Sequence, residues 1–320
     1  MTVSPSTPRE LLASSEVGFG FTAPTTADEV RALEDLGIAS LWVGGHVASP
    51  NPTPEVIVAL ARLSAQSTTA VIGSSILLLP LYPAAIVAKQ LADLDRACGG
   101  RVVLGVGIGG EYEAEFRACQ VPRNERAPRT DEAIPLLREL WTAEPVRHER
   151  GHYAMGDGEV RIHPAPRQPG GPPIVVAGRQ PAAMRRAAIL GDGWMPYMYS
   201  PRRYAESVAT IRAEAEASGR DLTGFGWTLF SFISIRDDGD EARREAARFM
   251  GGTYRQNFEE MVRSVAIAGT PDEVTERLAE FVRAGVRHFV FAPAARDQTR
   301  TWAKLLRDDL VPNAAAAASR

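Results

Sequence analysis

Along this chain of 320 residues, short apolar runs alternate with helical patterns from one end to the other. Eight of the runs read as strands: residues 17–21, 40–43, 70–76, 102–106, 174–177, 193–196, 226–235 and 288–291. Between them lie helices such as 27–36, 54–65 and 84–98, the last with Val87, Leu91, Leu94 and Cys98 on one face. Repeated β-then-α units with short turns predict parallel strands, because each helix returns the chain to the start of the next strand. Eight units predict closure into an α/β fold of the (β/α)8 type, a TIM barrel, a size such barrels reach with insertions. The expectation is one domain over residues 1–311.

Two insertions break the rhythm. Residues 148–173 contain a predicted hairpin, with HYAM and VRIH flanking Gly156, Asp157 and Gly158, and then a Pro/Gly-rich link. That element reads as a lid or a dimer contact. The second insertion, 238–271, holds two or three helices before the last strand. Pro135 lies within the helix expected over 131–141 and should shift or kink its first turn. The alanine-rich tail, 312–320, should fray.

Composition narrows the partners. A hydrophobic content of 45% suffices for a large core, and a net charge of -3 with pI near 6.0 offers no basic surplus for nucleic acid. Cys98 and Cys119 each stand alone in a helical pattern, so they read as reduced structural thiols rather than a disulfide or a metal site. No metal is expected. The opening MTVSPSTPRELLASS lacks the basic-then-apolar order of a signal peptide, which points to the cytoplasm. Residues 68–88 carry no charge and could span a bilayer on length alone. Gly73, Pro80 and Pro83 divide that run into strand, loop and helix start, so no membrane segment is expected.

The stretch 172–194, PPIVVAGRQPAAMRRAAILGDGW, carries the strongest local chemistry. A buried strand ending at Ala177 meets Gly178 and then a helix. Gly178 allows close backbone approach, Arg179 supplies a positive fork, and Pro181 suits a first helical position. The free N–H groups at Gln180 and beyond, with the positive end of the helix dipole, would face a phosphate. A strand-to-helix turn that binds nothing has the same local pattern.

Other candidates gather at strand ends. His46 follows the second strand, where reactive groups of a closed barrel converge, although an isolated histidine can simply cap a loop. The letters from Gly105 to Gly110 satisfy G-x-G-x-x-G after a strand, but no acidic residue closes a second strand about 20 residues later, so a Rossmann site is rejected. In a barrel, Gly107 and Gly109 instead let backbone approach a ring system or its side chain. Glu111 reads as a first-turn helix acid or as a second acid/base group, the structural role being favoured. The only lysines, Lys89 and Lys304, fall in helices, which disfavours Schiff-base chemistry. His148 and His152 have helical spacing for a metal, but Gly151 and the predicted loop spoil it. No G-x-S-x-G elbow is present.

Residues 99–142 closely resemble the bacterial-luciferase-like superfamily of flavin and deazaflavin oxidoreductases. The motifs are Gly105-Val106-Gly107, Glu115-Phe116, the Arg-rich link 126–129, Asp131-Glu132 and Leu140-Trp141-Thr142, and the similarity extends through 41–47, 73–80 and 282–291. The resemblance implies a phosphate-bearing cofactor, first coenzyme F420 with hydride exchange and alternatively FMN with dioxygen, held with its phosphate at Gly178, Arg179 and Gln180. It also implies a non-prolyl cis peptide at Ser75-Ile76, making a bulge whose Ile76 backs the ring. Deazaflavin members often carry an acid-His pair with the His acting on an alcohol proton; here Gly45 occupies the acid's place. A small-molecule substrate and a homodimer are expected. A flavin-binding protein without turnover and a phosphate-binding isomerase remain as other classes.

Overall fold

The structure, a computed structural model, describes residues 7–319; Arg320 and the first six residues of the N-terminal stretch read above lie outside them. The strands are β1 (Gly18–Thr22), β2 (Ser40–Val43), β3 (Val71–Ser74), β4 (Leu77–Leu78), β5 (Val102–Gly107), β6 (Ile174–Ala177), β7 (Gly193–Met195), β8 (Gly226–Ile235), β9 (Ile267–Gly269) and β10 (His288–Pro293). All their pairings are parallel. Neighbours run β10-β1-β2-β3-β5-β6-β7-β8, and β10 also pairs with β8, so eight strands close a barrel. Short β4 and β9 extend β5 and β8.

The helices are α1 (Pro8–Ala13), α2 (Ala27–Asp35), α3 (Val56–Gln66), α4 (Ala84–Ala97), α5 (Glu113–Ala118), α6 (Arg126–Leu140), α7 (Pro181–Leu190), α8 (Pro201–Ala217), α9 (Gly239–Tyr254), α10 (Val262–Val265), α11 (Pro271–Arg283), α12 (Thr299–Leu305) and α13 (Val311–Ala318). β3 and β5 are buried at every position, as strands caught between a filled interior and a helical shell must be. Trp42, Val71, Val103, Val175, Met195 and Val290 fill the interior, and Leu11 and Leu12 of α1 plug its N-terminal mouth. Gly226 makes room for that plug: a Cβ there would lie 2.7 Å from Leu12 Cδ2. Each buried leucine contributes about 1.5–3 kcal/mol.

A polar knot sits in this apolar interior. Trp42 Nε1 donates to Ser40 Oγ at 2.7 Å, and the same hydroxyl lies 2.8 Å from His288 Nε2, where it can donate to a neutral imidazole. Complete burial pushes His288 down to about 4. The unfolded chain binds this proton near 6.5, so the folded state is fully favoured above that pH and loses the contribution as pH falls toward 4. Urea unfolding at about pH 7 and pH 4.5 should therefore give a stability loss about 2–3 kcal/mol larger in the native chain than in His288→Gln. Equal losses in the two proteins would remove His288 as the cause.

Several expectations need correction. The run 70–76 is not one strand, because it breaks after Ser74. The hairpin around residues 156–158 reduces to one antiparallel bridge between Val146 and Val160. Its ladder is replaced by Glu132 of α6, which accepts from the N–H groups of His152 and Tyr153 and from His148 Nε2, each at 2.8 Å. α6 starts at Arg126, so the Arg-rich link is its first turn and Pro135 lies deep inside, where its missing N–H is lost from the ladder. The second insertion holds α9 and α10 but also β9. The tail does not fray: α12 runs through a π turn into α13, whose Val311 and Ala314 are buried against the core. Among the described residues no helix is long and apolar enough to cross a membrane, and no group of three His, Cys, Asp or Glu could hold a metal.

Candidate active site

His46 sits in the loop after β2, and its orienting acid comes from elsewhere in the chain. Glu115, fully buried on α5, places Oε1 3.1 Å from His46 Nδ1 and 2.9 Å from the N–H of Val47. An ionised carboxylate only accepts, so this contact places the proton on Nδ1 and leaves the Nε2 lone pair without a partner among the described residues. The carboxylate missing at Gly45 is thus supplied across the rim. Tyr112 packs edge-on against the imidazole, with ring centroids 5.0 Å apart. Glu115 Oε2 is buried with no partner, and burial together with this carboxylate raises the Cys119 thiol.

Beside this pair the chain turns at the cis bond between Ser75 and Ile76, as the resemblance implies. The Ser75 N–H is held by the Val43 carbonyl at 2.7 Å, while its Oγ is buried without a partner. Ile76 reaches into the barrel top. A Cβ at Gly107 would fall on Ile76 Cδ1, so that glycine admits the neighbouring side chain rather than leaving open backbone for a ligand. Gly109, with φ of +65°, turns the chain over Leu78 and Phe116. Glu111 is exposed and precedes α5, so the expected first-turn position is taken by Glu113 and Glu115 instead. Glu111 faces the rim: its charge, after burial, raises the Tyr112 hydroxyl.

The turn after β6 has the expected form. Gly178 adopts φ of +141°, and a Cβ there would lie 2.5 Å from Ala183 Cβ. Trp194 Nε1 pins its carbonyl at 3.0 Å. Gln180 is the N-cap of α7 and makes no side-chain cap; Pro181 has no N–H and the Ala183 N–H is taken by the Gln180 carbonyl at 2.9 Å, so in the first turn the Ala182 N–H is the one left for an anion. Arg179 stacks its guanidinium 4.5 Å from the Tyr197 ring centroid, and Tyr197 lies parallel to Tyr254. Arg203, unnoticed in the sequence, donates to the Arg179 carbonyl at 3.0 Å and adds a second cation beside the turn.

From Ser75 a cleft of about 1170 Å³ opens toward the ends of β1, β2, β8 and β10, with Trp42, Phe230 and Phe232 in its lining. Glu115 was the principal residue missed. Its signal was an acid beside Phe116 on the face of α5 that the fold buries.

A closed parallel barrel with a carboxylate-oriented imidazole, a cis bulge and an uncapped helix at one rim describes a cofactor-dependent enzyme scaffold. The chain belongs to the luciferase-like monooxygenase family, whose sequence model matches residues 2–260. It is 27% identical over 308 residues to an F420-dependent glucose-6-phosphate dehydrogenase of Kineococcus radiotolerans, covering 88% of this chain and 90% of that protein. An F420-dependent secondary alcohol dehydrogenase, solved with an F420-acetone adduct, shares the fold at a TM-score of 0.81 and 19% identity, over 93% of this chain and 99% of that one. So does the FMN-bound oxygenating constituent of a diketocamphane monooxygenase from Pseudomonas putida, at 0.71 and 18%, over 93% and 98%.

Proposed function

We propose that this chain catalyses coenzyme F420-dependent hydride transfer to or from a small organic substrate. The observation that carries the reading is the His46–Glu115 pair beside the Ser75-Ile76 bulge. A base with a free Nε2 suits an alcohol or carbonyl partner, because moving hydride at carbon requires moving a proton at oxygen. F420, when bound, supplies the hydride chemistry. The residues fit such a group: Ser75 offers an orphaned buried hydroxyl, Ile76 a backing surface, and the turn from Ala177 through Gly178 and Arg179 to Gln180 a phosphate cradle. In this reading Gly107 and Gly109 shape the loop under the ring, and Glu111 lines the rim without exchanging a proton.

FMN fits the same cradle, so titration separates the two. Apo-protein titrated with F420 and with FMN, followed by fluorescence, should bind F420 at least about tenfold tighter. Tighter FMN binding would overturn the hydride reading in favour of oxygen chemistry.

The same reading takes the enzyme as a homodimer. Val58 on α3 and Ile86 on the neighbouring α4 are 69% and 51% exposed, apolar surface that a second copy would cover. Light scattering at micromolar concentration should return twice the 34.6 kDa chain mass, and Val58→Glu with Ile86→Glu should return the monomer. A monomeric native chain would end this assignment.

A further inference from the structure

The α7 turn and the cleft beyond Ser75 lie on different sides of the barrel mouth. The turn follows β6, whereas the cleft is walled by the segments after β1, β2, β8 and β10. Its floor is apolar, built on Phe230 and Phe232, midway along β8, and lined also by the buried Trp42 of β2. Its outer wall is not. Four arginines line it: Arg62 on α3, Arg248 on α9, Arg296 after β10 and Arg300 on α12. None makes a side-chain hydrogen bond, ion pair or ring contact with any described residue. Arg243, on the same helix as Arg248, shows the usual alternative by pairing with both Asp240 and Glu273.

The acids in the same wall are already engaged. Asp28 pairs with Arg31, Glu29 accepts from the Thr26 hydroxyl at 2.6 Å, and Asp297 accepts from Gln298 Nε2 at 2.9 Å. The wall therefore presents guanidinium forks from four elements toward one space, with the local carboxylates turned to other donors. Such forks match the paired oxygens of a carboxylate or phosphate. The volume of about 1170 Å³ exceeds what a compact sugar-sized molecule fills, and the apolar floor rewards a hydrocarbon body.

We propose that this cleft is the substrate site and that the substrate is an amphiphilic oxyanion: a hydrocarbon body lies over Phe230 and Phe232, and a carboxylate or phosphate meets Arg62, Arg248, Arg296 and Arg300. The assignment of the occupant as substrate rests on the reading that places the cofactor between Ser75 and the α7 turn.

Calorimetry on the apo-protein with decanoate, decyl phosphate and 1-decanol tests the class without turnover. Both anions should bind at least about tenfold tighter than the alcohol at low salt, and the difference should shrink at high salt. The tighter anion names the headgroup. With Arg62→Gln, Arg248→Gln, Arg296→Gln and Arg300→Gln combined, the anions should fall to the level of 1-decanol, whose retained binding reports an intact floor. F420 affinity, measured on the same variant, should not change. Equal binding of anion and alcohol by the native chain overturns the proposal, as does an anion preference that survives in the variant. A variant that loses F420 affinity also overturns it, since the arginines would then serve the cofactor. If F420 fails to bind the native chain while the anion preference stands, the cofactor reading falls and the binding class is supported.

Discussion

Replacing His46 with asparagine is expected to lower turnover by about a hundredfold or more, with cofactor affinity within about twofold of the native chain. Asparagine keeps polarity and approximate size but cannot exchange a proton near neutral pH. Because Glu115 holds Nδ1, the variant loses the unpartnered Nε2 and little else. In the proposed reading Glu115 acts through His46 as a positioning residue. Glu115→Gln should therefore lower turnover by a smaller factor in the native background and have almost no effect once His46 is asparagine. A buried residue with a merely structural role would damage both backgrounds alike. Full activity in His46→Asn would pass the proton to Glu111 or to solvent, and loss of cofactor from a folded variant would make His46 a binding residue.

Gly178→Asp should raise the cofactor dissociation constant by about a hundredfold, partly by shape and partly by charge. Its φ of +141° and the closeness of Ala183 leave no room for any side chain. Gly178→Asn carries nearly the same bulk without the charge, so it isolates the steric share. Aspartate should bind more weakly than asparagine by a further factor of about 3 to 30, the amount a helix terminus is worth, and this excess should shrink with salt. An unchanged dissociation constant in the aspartate variant would remove the phosphate from this turn.

Strands such as β2 and β6 were legible because they are continuous apolar runs, and the repetition of such runs dictated closure. The break in residues 70–76 was not legible from local pattern, since an apolar run carries no trace of which peptide bond is cis; only the family resemblance pointed to Ser75-Ile76. The start of α6 is hidden in the sequence because its first four residues, Arg126 to Arg129, hold two arginines and a proline and offer no apolar stripe. The acid partner of His46 was sought at Gly45, the adjacent position, whereas it stands 69 residues away on another β-α unit. Pairing across loops depends on how the barrel closes, which no window of sequence contains. The tail was misread for a related reason. Alanines look featureless in a list, yet Ala314 is small enough to seat α13 closely against α11.

The segments that hold His46, Ser75 and Gly178 follow β2, β3 and β6, whereas Arg248, Arg296 and Arg300 belong to segments that follow β8 and β10. In a closed barrel each strand fixes its own loop independently, so the two sets can accumulate changes separately. Replacing the start of α12 rewrites part of the outer wall of the cleft away from the imidazole and the α7 turn, whereas α9 is tied to the loop after β2, where Asn51 Nδ2 donates to the Thr253 carbonyl at 2.7 Å. Descendants of one such barrel can thus inherit a single reaction and diverge in diet, and the pair proposed to handle the proton, His46 in the loop after β2 and Glu115 on α5, is the part a new specificity would leave untouched.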